Sequence, residues 1–108
     1  MEARAVFPAE IQEQIRKGYI IRLDQRVKRM RKFFAERNWV DLRQECMHLR
    51  KTAPGFGLAD LASLAERVEL SLEAAGGLSR AQVRPEAKLA AENLFSEIYK
   101  TLSQESLI

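Results

Sequence analysis

Apolar residues recur every three or four positions along most of the chain, a spacing that predicts amphipathic helices rather than strands. Four stretches carry such a seam, and each seam is about three-sevenths apolar. The seams are Ile20, Leu23, Val27, Met30 and Phe34; Leu42, Cys46, Leu49 and Ala53; Leu61, Ala65, Val68 and Leu72; and Ala91, Leu94, Ile98 and Leu102. Helices with seams of this width bury them against one another, so the sequence predicts an all-α fold, an antiparallel up-and-down four-helix bundle.

Breaks in this pattern set the expected helix boundaries. We expect helices over residues 9–17, 19–37, 39–53 and 58–75, and a last helix that starts at Pro85. The first is a short helix with Ile11 and Ile15 on one side; it is expected to cap the bundle, and Gly18 to bend or end it. Pro54 ends the third helix because it has no amide hydrogen and its ring clashes one turn back, and Gly76-Gly77 is a stop signal for the fourth.

The third helix and its surroundings carry further local signals. Asn38 is expected to cap this helix, with Asp41 in the first turn, where the helix dipole favours a carboxylate. Trp39 is expected to pack in the core or over its end rather than to hold a ligand, and Phe56 to turn into the core. Residues 78–84 are expected to connect the last two helices.

Length and composition fit a single soluble domain. The 108 residues are 46% hydrophobic and 31% charged, a balance typical of a globular protein with one core rather than of a disordered chain. We therefore assign residues 1–108 to one domain and expect residues 1–6 and 104–108 to be flexible ends.

Cysteine and histidine usage excludes several kinds of chemistry. Cys46 is the single cysteine and cannot form an internal disulfide, which favours a reducing compartment. His48 is the single histidine, so an internal zinc site is not expected, because structural zinc takes four ligands, mostly Cys and His; no cofactor is implied. The N-terminal residues lack the apolar core of a secretory signal and no apolar run is long enough to span a bilayer, so we expect a cytoplasmic protein that does not bind membranes.

Positive charge is concentrated in one part of a chain whose formal net charge is +3. The basic residues there are Arg16, Lys17, Arg22, Arg26, Lys28, Arg29, Arg31, Lys32 and Arg37, against Asp24 and Glu36. Such a run is most often the solvated face of a helix, and the functional alternative is a patch that binds an anionic partner such as nucleic acid. Nucleic acid is not favoured, because the stretch has no interleaved aromatic residues and no recognition-helix motif; such binding would weaken steeply with salt.

The corner after the third helix carries a longer motif. Residues 46–57 read CMHLRKTAPGFG, and a helix rich in Leu and Ala follows up to Glu69. Residues 42–73 thereby resemble the signature of the histidine-containing phosphotransfer (HPt) family, which is Ala-His-x-Leu-Lys-Gly-Ser-Ala, then three or four residues and a Gly. The other helices resemble that family only in number and length. The resemblance implies a small helical bundle of the kind that relays phosphoryl groups between receiver-domain aspartates.

One alignment of that signature places Met47 at the phosphoacceptor position. Leu49, Ala53 and Gly57 then stand where the signature has its Leu, its second Ala and its final Gly. Cys46 takes the small buried position before the acceptor. Every buried position of the signature is filled without a gap.

A second alignment makes His48 the acceptor and reproduces His-x-x-Lys with Lys51. It also places Arg50 at the buried Leu position. A shift by one residue rotates a helix by about 100°, so the two alignments exclude each other. Burying Arg50 without a partner is strongly unfavourable, whereas a missing acceptor histidine leaves the fold intact, so packing favours the first alignment.

The first alignment changes what the resemblance implies about function. A methionine thioether cannot form a phosphoramidate, so we expect a pseudo-phosphotransfer protein, which binds a response-regulator receiver domain or a histidine kinase without relaying phosphate. It would be an adaptor rather than an enzyme. The expected docking face consists of Met47, His48, Arg50, Lys51 and Gly57. The alternative is an active phosphorelay carrier that is phosphorylated on His48; otherwise His48 is a solvated side chain, and Cys46 is an unreactive core residue.

Overall fold

Four helices make up the part of the chain that the computed structural model describes, residues 9–73 and 85–105. They are α1 (Ala9–Ala35), α2 (Trp39–Thr52), α3 (Ala59–Glu73) and α4 (Pro85–Gln104), with a short 3-10 helix over Ala53–Phe56 between α2 and α3. These residues contain no strand. The predicted all-α fold is therefore confirmed, and so is the start of the last helix at Pro85.

Each helix packs against two others, α1 and α3 both lying between α2 and α4. The pairs that join neighbouring helices are Tyr19–Thr52 and Arg26–Glu45 between α1 and α2, Arg43–Glu73 and Arg50–Glu69 between α2 and α3, and Arg16–Glu105 and Phe34–Phe95 between α1 and α4. In every pairing the residue numbers rise on one helix as they fall on the other. Helices α1 and α3 therefore run in one direction, and α2 and α4 in the opposite one.

The predicted apolar seams form the core of the bundle. Every seam residue is buried except Phe34, which is partly buried and packs against the core. Trp39 is buried as well, and its ring meets the Phe34 ring edge-on with centroids 5.8 Å apart. The predicted roles of the seams and of Trp39 in packing are thus confirmed.

Helix α1 runs through Gly18 without a break, so the prediction of a separate, short capping helix was wrong. A glycine inside a helix costs only about 1 kcal/mol relative to alanine. Burial of Tyr19 and Ile20 directly after it holds the chain in the helix. As a consequence, Ile11 and Ile15 are each 42% exposed instead of covering the end of the bundle.

The end of α1 lies two residues earlier than expected, at Ala35, because the chain turns there through a left-handed residue. Arg37 has a φ of 56°. The Arg37 amide donates to the Phe34 carbonyl at 3.1 Å and the Asn38 amide to the Phe33 carbonyl at 2.8 Å, the hydrogen-bond pattern of a Schellman motif. This tight corner leads straight into α2.

Local signals correctly placed both ends of α2. The Asn38 side chain accepts a hydrogen bond from the Asp41 amide at 3.3 Å, which confirms the predicted N-cap. Helix α2 ends one residue before the predicted Ala53, and Pro54 lies in the 3-10 helix that follows. Gly57 closes this second corner with a φ of 76°, and the Leu58 amide donates to the Ala53 carbonyl at 3.0 Å.

The predictions for Gly76-Gly77, for the connector over residues 78–84 and for the ends 1–6 and 106–108 lie outside the described residues. Residues 104–108 were also expected to be flexible; of these, Gln104 and Glu105 are described, and Gln104 is the last residue of α4. The Glu105 amide donates to the Thr101 carbonyl, and the Glu105 carboxylate binds Arg16 at 2.6 Å. No helix among the described residues is both long enough and apolar enough to cross a membrane.

Candidate docking surface on α2

The residues of α2 divide into a buried stripe, two sides that meet neighbouring helices, and an outer surface. Cys46 and Leu49 lie in the stripe and have no exposed surface. Successive residues are about 100° apart around a helix, so residues next to the stripe in sequence point away from it. Met47 therefore lies on the side that faces α3, and His48 on the side that faces α1.

The side of α2 that faces α3 is closed by two ion pairs. Arg50 contacts both carboxylate oxygens of Glu69, at 2.5 Å and 3.4 Å. Arg43 pairs with Glu73, which lies one turn further along α3. The Glu69 residue is only 6% exposed. Hydrogen bonding to Glu69 and its negative charge raise the pKa of Arg50. The positive charge that the sequence places on the docking face at Arg50 is thus compensated.

Met47 lies on the same side as these pairs and is half-buried, although an exposed position was expected. Residues three or four positions apart on a helix are surface neighbours, so Met47 sits between Arg43 and Arg50. Both arginines reach across to α3, which brings α3 alongside the Met47 position. Its thioether is only partly available to a partner.

The side of α2 that faces α1 is arranged differently. His48 is exposed and lines a cleft of about 330 Å³ together with Tyr19, Arg22, Leu23 and Arg26. Loss of solvent around the imidazole, and then the positive charge of Arg26, lower the pKa of His48. The neutral imidazole is therefore favoured, although the side chain reaches the surface.

Glu45 is the acidic residue on this side that binds two arginines of α1. It pairs with Arg26 and, at 3.4 Å, with Arg29. Among the described residues, Arg22 has no carboxylate within ion-pair distance. The cleft beside His48 therefore carries more positive than negative charge.

A chain of hydrogen bonds fixes the backbone at His48. The Thr52 hydroxyl donates its single proton to the His48 carbonyl at 3.0 Å. The Tyr19 hydroxyl is therefore the donor in the 2.8 Å hydrogen bond between Tyr19 and Thr52 Oγ1. Burial raises the pKa of Tyr19, which keeps the phenol protonated for this bond. The Tyr19 ring also stacks on Phe56 with centroids 4.1 Å apart. Phe56 was expected to turn into the core; it is partly buried and packs against the core from its edge. These contacts anchor α2 and its corner to α1.

Cys46 lies in the buried stripe and has no exposed surface. Burial raises the pKa of its thiol to about 12, and the negative charges of Glu69 and Glu45 add to this effect. A thiol that remains protonated and inaccessible is a poor nucleophile. This environment agrees with the expected role of Cys46 as a core residue.

The structure brings together part of the predicted docking face. Lys51 is exposed on the outer surface of α2, His48 is exposed next to it on the side that faces α1, and Gly57 is exposed at the corner beyond them. Arg50 is turned toward α3, and Met47 lies between these two groups.

Sequence reasoning missed two further parts of this surface. Val40, which is 50% exposed, and Gln44 continue the outer surface of α2 toward its N-terminus. Gln44 is three residues before Met47 and Val40 is four residues before Gln44, a helical spacing that could have identified them. Arg22 and Arg26 were recognised only as part of a basic run, because nothing local shows that they lie beside His48.

In the described part of the chain, no group of three or more His, Cys, Asp and Glu side chains is arranged to hold a metal ion. No protein-family model matches this chain, and comparisons with curated proteins and with solved structures return no significant match.

Proposed function

We propose that this chain is an HPt-like docking module that binds a receiver domain or a histidine kinase through α2 and relays no phosphate. The observation that carries the proposal is the burial pattern along α2. Leu49 and Ala53 have no exposed surface, whereas Arg50 is only partly buried and pairs with the buried carboxylate of Glu69. This pattern supports the alignment that places Met47, and not His48, at the acceptor position.

The corner after α2 gives further support. Gly57 has left-handed backbone geometry at the position where the aligned signature has its final Gly. The 3-10 turn before it brings α3 back alongside α2, as the family resemblance implies. A left-handed residue at that position accounts physically for a Gly in the motif.

The chemistry of the outer surface also supports binding without transfer. Met47 offers a polarisable thioether and no nitrogen that could accept a phosphoryl group, and thioethers adapt well to partner surfaces. Lys51 is exposed and has no ion-pair partner among the described residues, while Val40 adds apolar area. A cation next to apolar side chains suits a partner surface that carries both carboxylates and apolar area. Such a role belongs in the cytoplasm.

Binding measurements against receiver domains and histidine kinases of the source organism test this proposal. We expect Lys51→Glu and Met47→Asp each to weaken binding to the cognate partner by about tenfold or more, as for a central interface residue. Lys88→Glu on the exposed face of α4 is the matched control and should leave binding unchanged. Equal affinities for all three variants would contradict a docking surface on α2.

A transfer assay tests the second half of the proposal. The chain is incubated with a phosphorylated receiver domain and then analysed for acid-labile phosphate. We expect no labelling. Labelling that disappears in His48→Ala but persists in Met47→Ala would overturn the proposal in favour of a phosphorelay carrier.

One observation favours that second candidate. His48 is exposed and lines a cleft with Arg22 and Arg26. The guanidinium groups of these two arginines could neutralise incoming phosphoryl oxygens. The lowered pKa of His48 keeps its imidazole in the nucleophilic, neutral form. Absence of transfer to a folded protein, from a receiver domain that binds it, would exclude this role.

A further inference from the structure

The cleft between α1 and α2 is concave, and its surroundings carry more positive than negative charge. Arg22, Arg26 and Arg29 are spaced four and three residues apart on α1 and line the side that faces α2. From α2, Glu45 and His48 face them. Residues at this spacing lie along one side of a helix, so the three arginines form a short row on α1. The guanidinium groups of Arg26 and Arg29 meet at Glu45, and that of Arg22 lies toward Gly18.

Pairing within the described residues leaves this row with excess positive charge. Arg26 and Arg29 share the single carboxylate of Glu45, and Arg22 has none within ion-pair distance. With a neutral imidazole at His48, three positive charges face one negative charge. On the other side of α2, by contrast, each arginine has a glutamate of its own.

We propose that this cleft is a binding site for a phosphate-type dianion. Arginine guanidinium groups present several N–H donors in a planar fork that matches phosphate oxygens. The cleft volume of about 330 Å³ accommodates such an anion, and small-molecule sites begin at about 300 Å³. Tyr19 and Leu23 form its inner wall, while Arg22 and Arg29 are exposed and therefore accessible to an anion from solvent.

The charges around His48 add a consequence that can be measured. The groups that face its imidazole are Arg22, Arg26 and Arg29 on α1 and Glu45 on α2, with Lys51 one turn further along α2. A bound dianion outweighs the effect of the arginines and favours the imidazolium form, so anion binding raises the pKa of His48. The protonated ring then supplies one more donor to the anion. This site does not depend on the docking role proposed above.

The single histidine makes the test direct. NMR of the His48 ring reports its environment while inorganic phosphate is added at fixed pH and ionic strength, with sodium chloride replacing phosphate in the reference titration. We expect a saturable shift with phosphate and a higher pKa of His48 in its presence. A response identical to that in chloride would overturn the proposal.

Two variants with opposite effects sharpen the test. Arg22→Gln should weaken phosphate binding by about tenfold, because it removes a charge-assisted hydrogen bond. Glu45→Gln removes the competing carboxylate and should tighten binding by several fold, an outcome that loss of folding cannot imitate. Arg67→Gln, at an exposed arginine of α3, is the matched control and should bind as the parent does. Equal affinities for Arg22→Gln, Glu45→Gln and the parent would refute the assignment.

Phosphate oxygens can arrive as a free ion or as a monoester on a side chain. Titration with O-phosphoserine beside inorganic phosphate distinguishes the two sources: tighter binding of phosphoserine assigns the cleft to a phosphorylated side chain, and tighter binding of inorganic phosphate assigns it to the free ion. No receiver domain is present in these titrations. Failure to bind phosphate therefore does not contradict the docking proposal, and failure to bind a receiver domain does not contradict the phosphate site.

Discussion

The two sides of α2 pack against antiparallel neighbours in similar ways but differ in how charge is paired. On the side that faces α3, each arginine meets a glutamate of its own, as Arg50 meets the buried Glu69. On the side that faces α1, Arg26 and Arg29 share Glu45. The first interface is closed by matched charges, and the second contains a cleft with unmatched ones.

This difference distinguishes arginines that hold two helices together from arginines that can still bind a ligand. An arginine that is bound in two places to a buried carboxylate positions two helices and cannot be released to a ligand at low cost. An arginine that shares a carboxylate, or that has none, can gain a new partner without losing an old one. Whether an arginine of α1 or α2 can bind a ligand therefore depends on the carboxylates that already lie near it, and not on how many cations the two helices carry.

The largest expected effect concerns the closed side. Glu69→Ala removes the buried carboxylate that Arg50 binds, and water can solvate the guanidinium that remains because that side chain is 37% exposed. We expect a loss of about 2 kcal/mol in the free energy of unfolding, from the charge-assisted hydrogen bonds. Glu73→Ala at the more exposed pair should cost less than about 1 kcal/mol. Urea denaturation followed by circular dichroism measures both. Similar losses for the two variants would show that burial does not distinguish these pairs.

The next effect compares the two corners that flank α2. Gly57 and Arg37 both have positive φ, and a Cβ atom at Gly57 would meet no heavy atom within 4 Å, so backbone strain alone opposes a side chain there. We expect Gly57→Ala to destabilise the fold by about 1–2 kcal/mol and Arg37→Gly to stabilise it by up to about 1 kcal/mol. Thermal denaturation of the two variants should therefore shift in opposite directions; shifts of the same sign would contradict this explanation.

A smaller effect is expected at the anchor between α1 and α2. Tyr19→Phe deletes the hydrogen bond to Thr52 but keeps the ring that stacks on Phe56, so unfolding should become easier by about 1 kcal/mol. The control is Tyr99→Phe, whose hydroxyl accepts from Arg31 at the surface. That change should stay within about 0.5 kcal/mol. Equal effects would argue against a special role for the Tyr19 anchor.

The smallest effect is the pH dependence that arises from His48. Its pKa is lower in the folded than in the unfolded protein, where it is about 6.5. Just below that pH the unfolded chain binds more protons, so stability falls as the pH decreases through this window. The contribution is less than about 1 kcal/mol because the side chain is exposed. Denaturation curves of the parent and of His48→Gln at several pH values should show this slope only in the parent, and phosphate should reduce it.

Much of the fold follows from local pattern. The spacing of Leu42, Cys46 and Leu49 predicts which side of α2 is buried, and Asn38 and Pro54 mark its ends through local hydrogen bonding and sterics. Helix geometry then places Met47 and His48 on opposite flanks of that stripe, but the partial burial of Met47 beside α3 did not follow from it. The exception is Gly18, where local propensity predicts a break. Its small cost is offset by tertiary burial of the residues that follow.

The pairing of charges did not follow from local pattern. Arg50 lies 19 residues from Glu69 in sequence, and Glu66 and Glu73 are acidic residues of the same helix. Which of them meets Arg50 depends on how far α3 is shifted along α2, and that is decided by packing of whole apolar seams. The same holds for Arg22, whose position beside His48 is invisible to any local signal.

The sequence by itself determined four amphipathic seams, the residues they bury and both ends of α2, because helix periodicity and capping act over a few residues. Only the tertiary structure decided that α1 is continuous, that Arg50 is matched by Glu69, and that Arg22, Arg26 and His48 line one cleft. These outcomes depend on contacts between residues far apart in the chain. Their energies come from burial and from charge pairing across helices, which exist only once the helices have packed.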